Sequence, residues 1–372
     1  MPVWMKSSKV RWVATCGFAF LLLMLNSSSI RASYFATADF KTYQAHGLYP
    51  FWSANWTSLE PKLRFDSNGI PFAVYRTGAA YNPVTVGIFG LLAYNRYYEG
   101  HRSADRDTFL LMARWLVDHQ DANSGCWFYD VEYSNSDLNE TIPRHWVSAM
   151  AQGLGISLLT RAHNVTQDSR FLQVAERALL PFHKSVEQGG VTRPFRLAQS
   201  INGSGEPVYF EEYPSRQAPS YVLNGFMFAL LGLYDLSQMP NADAARLLER
   251  GIATLHAALP FYDLGDGTAY DLNHLTRAPH EINRSESYHL VHITLLNALG
   301  SATNDALLIW YRDHWNSYGS FLDPERIWAK RVGYWALRRH PLLTGMGMFC
   351  FAGLAFLSVW SHGKFKRVRA VA

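Results

Sequence analysis

Two adjacent glutamates and three tyrosines are the residues of this chain whose types and spacing could move protons. Glu211, Glu212 and Tyr213 directly precede a proline. Tyr270 follows a Gly-rich turn, and Tyr288 opens an apolar run. A carboxylate can take a proton from carbon, and a tyrosine can act as a base if its pKa is depressed or as an acid if it is not. Composition alone favours a simpler alternative, in which the tyrosines are rim aromatics with satisfied hydroxyls.

Metal, nucleotide and serine-nucleophile chemistry have little support in the motifs. His289 and His292 are three residues apart but lack the spacing and the acidic partner of a zincin site, so we interpret them as hydrogen-bonding histidines on an inner helix. No phosphate-binding Gly-rich loop and no Gly-x-Ser-x-Gly elbow occur in the chain. We therefore predict no cofactor. A calcium site built from scattered oxygens leaves no short motif, so a structural divalent cation stays open.

The elements that must position these residues are predicted to be helical hairpins. Four helix pairs alternate with short aromatic or Gly-rich connections, beginning with Pro83 at a helix start and Ser103 as the N-cap of the next helix. In the second and third pairs the first helix is apolar nearly all round and the second is amphipathic, which is typical of an inner and an outer ring. The pattern predicts a mainly α fold, an incomplete (α/α) toroid. The stretches WFYDVEYS and YDLGDGTAYDL predict short β-hairpins at the rim of a cleft.

Apolar runs near both ends suggest attachment to a membrane. We predict a signal peptide or N-terminal anchor over 1–32, an irregular arm over 33–80 and the helical domain over 81–320. A transmembrane helix over 341–361 and a basic tail over 362–372 follow. The helical domain is then expected outside the cytoplasm, in the periplasm, the extracellular space or, in a eukaryote, the Golgi lumen.

Composition restricts the partners of the chain. Of its 372 residues 48% are hydrophobic and 17% charged, which is typical of an ordered protein rather than a disordered one. The net charge of +4 mildly favours an anionic partner, and the absence of a Lys/Arg run in the middle of the chain argues against nucleic acid. Aromatic residues make up 15% of the chain, and aromatic faces flanked by polar groups are suited to holding sugars. A homodimer is one assembly that stays open.

Several long strings resemble the D-glucuronyl C5-epimerases (heparosan-N-sulfate-glucuronate 5-epimerases) in their C-terminal catalytic domain. These are HWVSAMAQG, EEYPS, SYVLNGFMFALLGLYDL, LPFYDLGDGTAYDL and SYHLVHI, in the order of the family, between about Tyr81 and Tyr318. The resemblance implies an isomerase that converts glucuronate to iduronate within a heparan-type or related uronate polysaccharide. This epimerisation requires removal of the C5 proton and reprotonation of C5 from the opposite face of the sugar.

The resemblance also implies the site residues. Glu212 and Tyr213 match the family's active-site Glu-Tyr pair, and Tyr270 and Tyr288 match its critical tyrosines. We expect Glu212 or Tyr288 to remove the proton and Tyr270 to return one. The predicted substrate-binding residues complete the site: Tyr81, Arg144, Arg216, Asn224, Asn273, His289 and His292.

Two differences separate this chain from the animal members of the family. The animal enzymes carry an arginine that contacts the anionic substrate at the position of Asn273. They also have a long N-terminal β-domain, for which too few residues precede Tyr81. Three other functions therefore stay open: a polysaccharide lyase, which shares the first proton abstraction; a glycoside hydrolase, although its two carboxylates would usually lie across a cleft; and an inactive glycan-binding protein.

Overall fold

The computed structural model describes residues 41–50, 63–75, 77–135, 140–198, 206–277 and 281–318. The predicted segments over 1–32, 341–361 and 362–372 lie outside these residues. Within the described ranges no helix combines the length and the apolar character needed to span a bilayer.

Helices dominate the described part of the chain, which confirms the predicted class. They pair as hairpins: α1 (Pro83–Gly100) with α2 (Ser103–His119), α3 (Ala149–Thr166) with α4 (Ser169–Arg177), α5 (Leu223–Ser237) with α6 (Ala242–Tyr262), and α8 (Glu286–Thr303) with α9 (Ala306–Asn316). A four-residue helix, α7 (Asn273–Thr276), precedes α8. The first helices of the pairs form a row, in which α1 contacts α3, α3 contacts α5 and α5 contacts α8. Closure of that row into a toroid stays a prediction.

The contrast between inner and outer helices follows from their sequences. Helices α3 and α5 are buried along almost their whole length, whereas α6 buries one face. Helices α3 and α5 approach closely at two glycines, since a Cβ on Gly153 would lie 2.4 Å from the carbonyl oxygen of Phe228 and a Cβ on Gly232 would lie 2.3 Å from that of Gly153. Any side chain there would force the two inner helices apart.

Side-chain caps are present at several of the helix starts. Asn82 caps α1, Ser148 caps α3 and Asn241 caps α6, each by accepting a hydrogen bond from a backbone N–H of the first turn. The predicted cap of α2 by Ser103 is wrong. Ser103 is the first residue of the helix and the flanking residue is Arg102, which makes no side-chain cap hydrogen bond.

Seven short strands form three small antiparallel sheets in the described ranges. Within the segment predicted as an irregular arm, β1 (Arg64–Phe65), β2 (Pro71–Tyr75) and β3 (Gly78–Ala80) pair in sequence order, which the sequence did not reveal. β4 (Tyr133–Asn135) pairs with β5 (Glu140–Ile142), and β6 (Thr192–Pro194) with β7 (Val208–Phe210). The predicted turn at Gly265 is present, but an isolated bridge between Asp263 and Thr268 flanks it instead of extended strands.

Candidate active site

Three tyrosines lie around one buried carboxyl group and a fourth, Tyr133, stacks on one of them. We call these five residues the tyrosine cluster: Tyr133, Tyr213, Tyr270, Tyr288 and Glu212. The rings of Tyr133 and Tyr213 stack with centroids 4.5 Å apart, and those of Tyr270 and Tyr288 lie 4.3 Å apart. Glu212 is 7% exposed and interacts electrostatically with Tyr213, Tyr270 and Tyr288. The fold thus brings together all four predicted catalytic residues.

Glu212 is positioned by a strand and a helix. It follows β7 by two residues and packs against the first turn of α5, where a Cβ on Gly225 would lie 2.3 Å from its Oε2 and 2.6 Å from its Cβ. Only glycine at position 225 leaves room for this carboxyl group. The N-terminal turn of a helix carries partial positive charge, which favours an anion near it.

The carboxyl group of Glu212 is prepared for proton transfer near neutral pH. Burial raises its pKa to about 7, a side-chain hydrogen bond with Tyr213 lowers it, and repulsion from Asp271 raises it further. No Arg, Lys or His of the described chain lies within ion-pair distance of Glu212, and its buried Oε2 has no hydrogen-bond partner there. A buried carboxyl group without a cationic partner is available to a substrate.

Glu211 lies one residue away in a different environment. It is fully buried, and burial raises its pKa to about 8, although Arg193 opposes that rise from 3.7 Å. Its Oε2 accepts a hydrogen bond from the backbone N–H of Tyr221 at 3.2 Å. Glu211 therefore connects β7 to the segment before α5, and Glu212 is left to face the tyrosines.

The tyrosine hydroxyls of the cluster stay protonated. Burial raises the pKa of Tyr213, Tyr270 and Tyr288, and the nearby Glu212 carboxylate raises each of them further. Hydrogen bonds connect the Tyr270 side chain with those of Tyr213 and Tyr288. These hydroxyls can therefore donate hydrogen bonds or a proton, but they are weak bases.

Tyr133 is the member of the cluster that sequence reasoning missed. It lies on β4, packs against Trp146 with ring centroids 5.7 Å apart, and forms a side-chain hydrogen bond with Tyr213. The stretch WFYDVEYS was predicted as a hairpin, but only its last two residues, Tyr133 and Ser134, lie in a paired strand, and the partner strand follows it in the chain. No local pattern distinguishes a tyrosine of this cluster from one that only packs in the core.

Several predicted substrate-binding residues lie near the cluster in structural roles. Asn273 is buried, and its Oδ1 accepts a hydrogen bond from Arg277 Nε at 3.0 Å. Arg277 was not predicted, and it also donates from Nη2 to Ser215 Oγ at 3.0 Å. Asn224 is buried in the first turn of α5, where its Oδ1 has no hydrogen-bond partner among the described residues. Arg216 is exposed, and its backbone N–H donates to Glu140 Oε1 at 3.2 Å.

The two histidines of α8 are buried and share a hydroxyl group. Thr268 Oγ1 lies 3.0 Å from Nδ1 of His289 and 2.8 Å from Nδ1 of His292. Burial lowers the pKa of His289 to about 4 and also lowers that of His292, so both rings are neutral at pH 7. Neither ring supplies a cation for a substrate carboxylate. In the described ranges no group of three or more His, Cys, Asp or Glu could hold a metal ion.

The two remaining predicted residues lie elsewhere. Tyr81 and Arg144 line a cavity of about 900 Å³ whose walls include no member of the tyrosine cluster. The structure therefore separates the predicted site residues into two groups.

Comparisons with known proteins agree with the strings noted in the sequence. Residues 120–317 match the family model of the D-glucuronyl C5-epimerase C-terminus. The D-glucuronyl C5-epimerase of Caenorhabditis elegans is 35% identical over 248 residues, which is 63% of this chain and 38% of that enzyme. An uncharacterized protein of Methanocaldococcus jannaschii is 31% identical over 200 residues, 54% of this chain and 59% of its own length. The chain therefore spans less than two thirds of the length of each of these two relatives.

Among solved structures, the unsaturated glucuronyl hydrolase of Bacillus sp. GL1 matches with a TM-score of 0.42 and 15% identity, over 64% of this chain and 61% of the hydrolase. A UGL variant with dGlcA-Glc-Rha-Glc gives a TM-score of 0.43 and 16% identity, with the same coverage of both chains. Scores this low support no conclusion about fold or activity.

Proposed function

Since the chain belongs to the D-glucuronyl C5-epimerase family, we propose that it inverts C5 of glucuronate residues in a uronate polysaccharide to give iduronate. The observation that carries the proposal is the Glu212 carboxyl group, which is buried and lacks a cationic partner among the described residues. The pKa of that group is about 7, and tyrosine hydroxyls surround it. An epimerase needs such a base on one face of the sugar and an acid on the other.

Glu212 is the base in this proposal. A carboxyl group with a pKa of about 7 is substantially ionised at neutral pH and is more basic than an ordinary glutamate. The C5–H bond breaks, its proton goes to a Glu212 oxygen, and its electron pair moves onto the sugar carboxylate as an enediolate. Tyr288 is the other candidate for the base, but its raised pKa keeps it protonated and suits it to donating a hydrogen bond to the enediolate.

Tyr270 is the acid. Its hydroxyl is protonated at neutral pH because burial and the Glu212 carboxylate raise its pKa. It transfers that proton to C5 from the opposite face, which forms the new C–H bond and leaves a phenolate. Because a strongly raised pKa also makes the phenolate a strong base, Tyr270 must then regain a proton before the next turnover.

Tyr213 can return that proton. A hydrogen bond connects Tyr213 with the Glu212 carboxyl group, and another connects it with Tyr270. After one inversion Glu212 holds the abstracted proton and Tyr270 lacks one. Transfer from Glu212 to Tyr213 and from Tyr213 to Tyr270 resets both groups, and exchange of these carboxyl and hydroxyl protons with solvent between turnovers lets deuterium reach C5.

The finer parts of the proposal are the substrate and the location. The motif resemblance favours a heparosan or heparan-type chain, and a weakly basic protein is compatible with a polyanion. The apolar runs at both ends of the chain support attachment to a membrane with the helical domain outside the cytoplasm.

The test incubates the full-length chain with heparosan in deuterated water and follows deuterium at C5 and iduronate formation by NMR. We expect both signals without shortening of the polymer. Accumulation of an unsaturated uronate would instead identify a lyase, and new reducing ends would identify a hydrolase. Binding of uronate polymers without any C5 exchange would leave a glycan-binding protein and overturn the proposal.

A further inference from the structure

The cavity of about 900 Å³ that contains Tyr81 and Arg144 has no role in the proposed chemistry. Its volume is within the range of small-molecule sites, about 300–1,000 Å³. Two sets of aromatic side chains line its walls. The first lies at the end of α2 and contains Tyr81, Trp115 and His119. The second lies beside Asp130 and contains Phe128 and His145.

A two-stranded bridge separates this cavity from the tyrosine cluster. Tyr129 and Trp146 form an antiparallel bridge, with Tyr129 N donating to Trp146 O at 2.8 Å, and both side chains pack in the core that includes Tyr133 and Tyr213. Phe128 and His145, the chain neighbours of the two bridge residues, line the cavity, and His145 takes a left-handed backbone conformation with a φ of 70°. The Tyr129–Trp146 bridge therefore joins residues that line the cavity to the core against which Tyr133 and Tyr213 pack.

The aromatic side chains of the walls pack on one another, and Tyr81, His119 and His145 are their solvent-exposed members. The rings of Trp115 and His119 stack with centroids 4.1 Å apart, and Tyr81 lies 5.5 Å from Trp115. Across the cavity Phe128 and His145 stack at 3.8 Å. Aromatic faces attract the slightly positive C–H groups of a sugar ring, since the face of the π-system is negative.

Hydrogen bonds hold these walls in place before any ligand binds. The hydroxyl of Tyr81 donates to Asp66 Oδ2 at 2.7 Å, and Asp66 Oδ1 accepts from the backbone N–H of Ile70 at 2.8 Å. On the opposite side Gln152 accepts from the backbone N–H of Trp127 at 3.0 Å and donates to the carbonyl oxygen of Gly125 at 2.9 Å. Binding would therefore cost little ordering of the protein.

The charges in the cavity distinguish its ligand from that of the tyrosine cluster. Arg144 is the one arginine among the described residues that line the cavity. Four aspartates line it as well: Asp66, Asp118, Asp121 and Asp130. Asp118 and Asp130 are exposed and have no hydrogen-bond or ion-pair partner in the described part of the chain. Ionised carboxylates only accept hydrogen bonds, so they suit the hydroxyl and amide N–H groups of a sugar and repel a uronate.

We propose that this cavity is a second glycan site, one that holds an uncharged sugar such as an N-acetylated hexosamine. That this sugar belongs to the same polymer as the uronate at Glu212 rests on the proposed function. The site would then recognise the uncharged units of an alternating polysaccharide and reject a polymer of uronate alone.

The test is calorimetric titration of the full-length chain with the trimer of N-acetylglucosamine and, separately, with a glucuronate trimer. We expect binding of the uncharged trimer and none of the glucuronate trimer at this site. Tyr81→Ala should weaken binding of the uncharged trimer about fivefold because a stacking face is lost. Tyr81→Phe keeps the ring and should bind within about twofold of the wild type. Tyr98→Ala is the matched control, since Tyr98 is 45% exposed and does not line the cavity.

Asp118→Asn combined with Asp130→Asn provides a second test that leaves the aromatic walls intact. It should weaken binding of the uncharged trimer about tenfold, since hydrogen bonds to a charged group are replaced by weaker ones. Binding of the uncharged trimer that neither Tyr81→Ala nor the double variant weakens would overturn the proposal, as would glucuronate binding that Tyr81→Ala abolishes. Trimer binding without C5 exchange on any uronate would refute the proposed function alone, and exchange without trimer binding would refute this site alone.

Discussion

Two buried carboxylates of this protein have opposite surroundings. Asp235 on α5 is fully buried and pairs with the equally buried Arg161 of α3, with Nη1 and Oδ2 2.6 Å apart. Tyr43 donates a hydrogen bond to Asp235 and accepts one from Arg161. Glu212 has comparable burial but neither a cationic partner nor a hydrogen bond to its Oε2 among the described residues.

The difference separates a charge that is paired within the protein from one that we propose acts on a substrate. The guanidinium group of Arg161 also lies 5.2 to 5.8 Å from the ring centroids of three tyrosines, and this group joins α1, α3, α5 and the segment 41–50. The charges of Arg161 and Asp235 are therefore paired with each other inside the protein. Glu212 has no such partner among the described residues, so its carboxyl group can still interact with a ligand, and burial raises its pKa to about 7. The following changes test that contrast, in order of decreasing effect.

Asp235→Ala should cause the largest effect, a loss of about 3–5 kcal/mol in the free energy of unfolding. The substitution leaves Arg161 buried without its partner, and an uncompensated buried charge is strongly destabilising. Urea denaturation followed by circular dichroism measures it. Replacing both residues, as Arg161→Met with Asp235→Leu, should restore most of the stability. A single variant that loses less than about 1 kcal/mol would show that the pair is not structural.

Glu212→Gln should leave the protein folded and reduce C5 deuterium exchange by about 10²–10⁴, since the amide cannot take the proton. Its free energy of unfolding should change little, because no ion pair with a described residue is broken. Glu211→Gln is the matched control one residue away, and its exchange should stay within about tenfold of the wild type. Equal losses of exchange in the two variants would contradict the separate roles of Glu211 and Glu212.

Gly225→Ala should lower the free energy of unfolding by about 1–3 kcal/mol. It should also lower the rate of C5 deuterium exchange. The new methyl group would lie 2.3 Å from Glu212 Oε2 and would displace the carboxyl group from the first turn of α5. Gly100→Ala is a control on another helix, where the nearest contact of a Cβ would be an ordinary 3.8 Å. Wild-type exchange in Gly225→Ala would show that the position of Glu212 is not restricted in this way.

The smallest expected effect is a pH dependence. The base must be deprotonated to act, so exchange at limiting substrate should rise about tenfold between about pH 6 and pH 8 if Glu212, with its pKa of about 7, is that base. Measuring kcat/KM for exchange across this range checks it. A rate that is flat or falls with pH would exclude Glu212 as the base.

Sequence reasoning succeeded where the signal is local. The helix pairs and the apolar inner helices follow from periodicity over a few turns, and the turn at Gly265 follows from its glycines. The strands β1 to β3 escaped prediction because strands of two to five residues carry almost no periodic signal. Long strings shared with a known family identified Glu212, Tyr213, Tyr270 and Tyr288, although no rule of spacing would have chosen them.

The sequence by itself therefore determined the helical class, the family and the residues that could move protons. Only the tertiary structure decided which of the adjacent glutamates faces the tyrosines, that Tyr133 joins them, and that Tyr81 and Arg144 belong to a different cavity. These outcomes depend on contacts between residues far apart in the chain. Burial and neighbouring charge set the pKa of a carboxyl group, and neither is encoded in the residues immediately beside it.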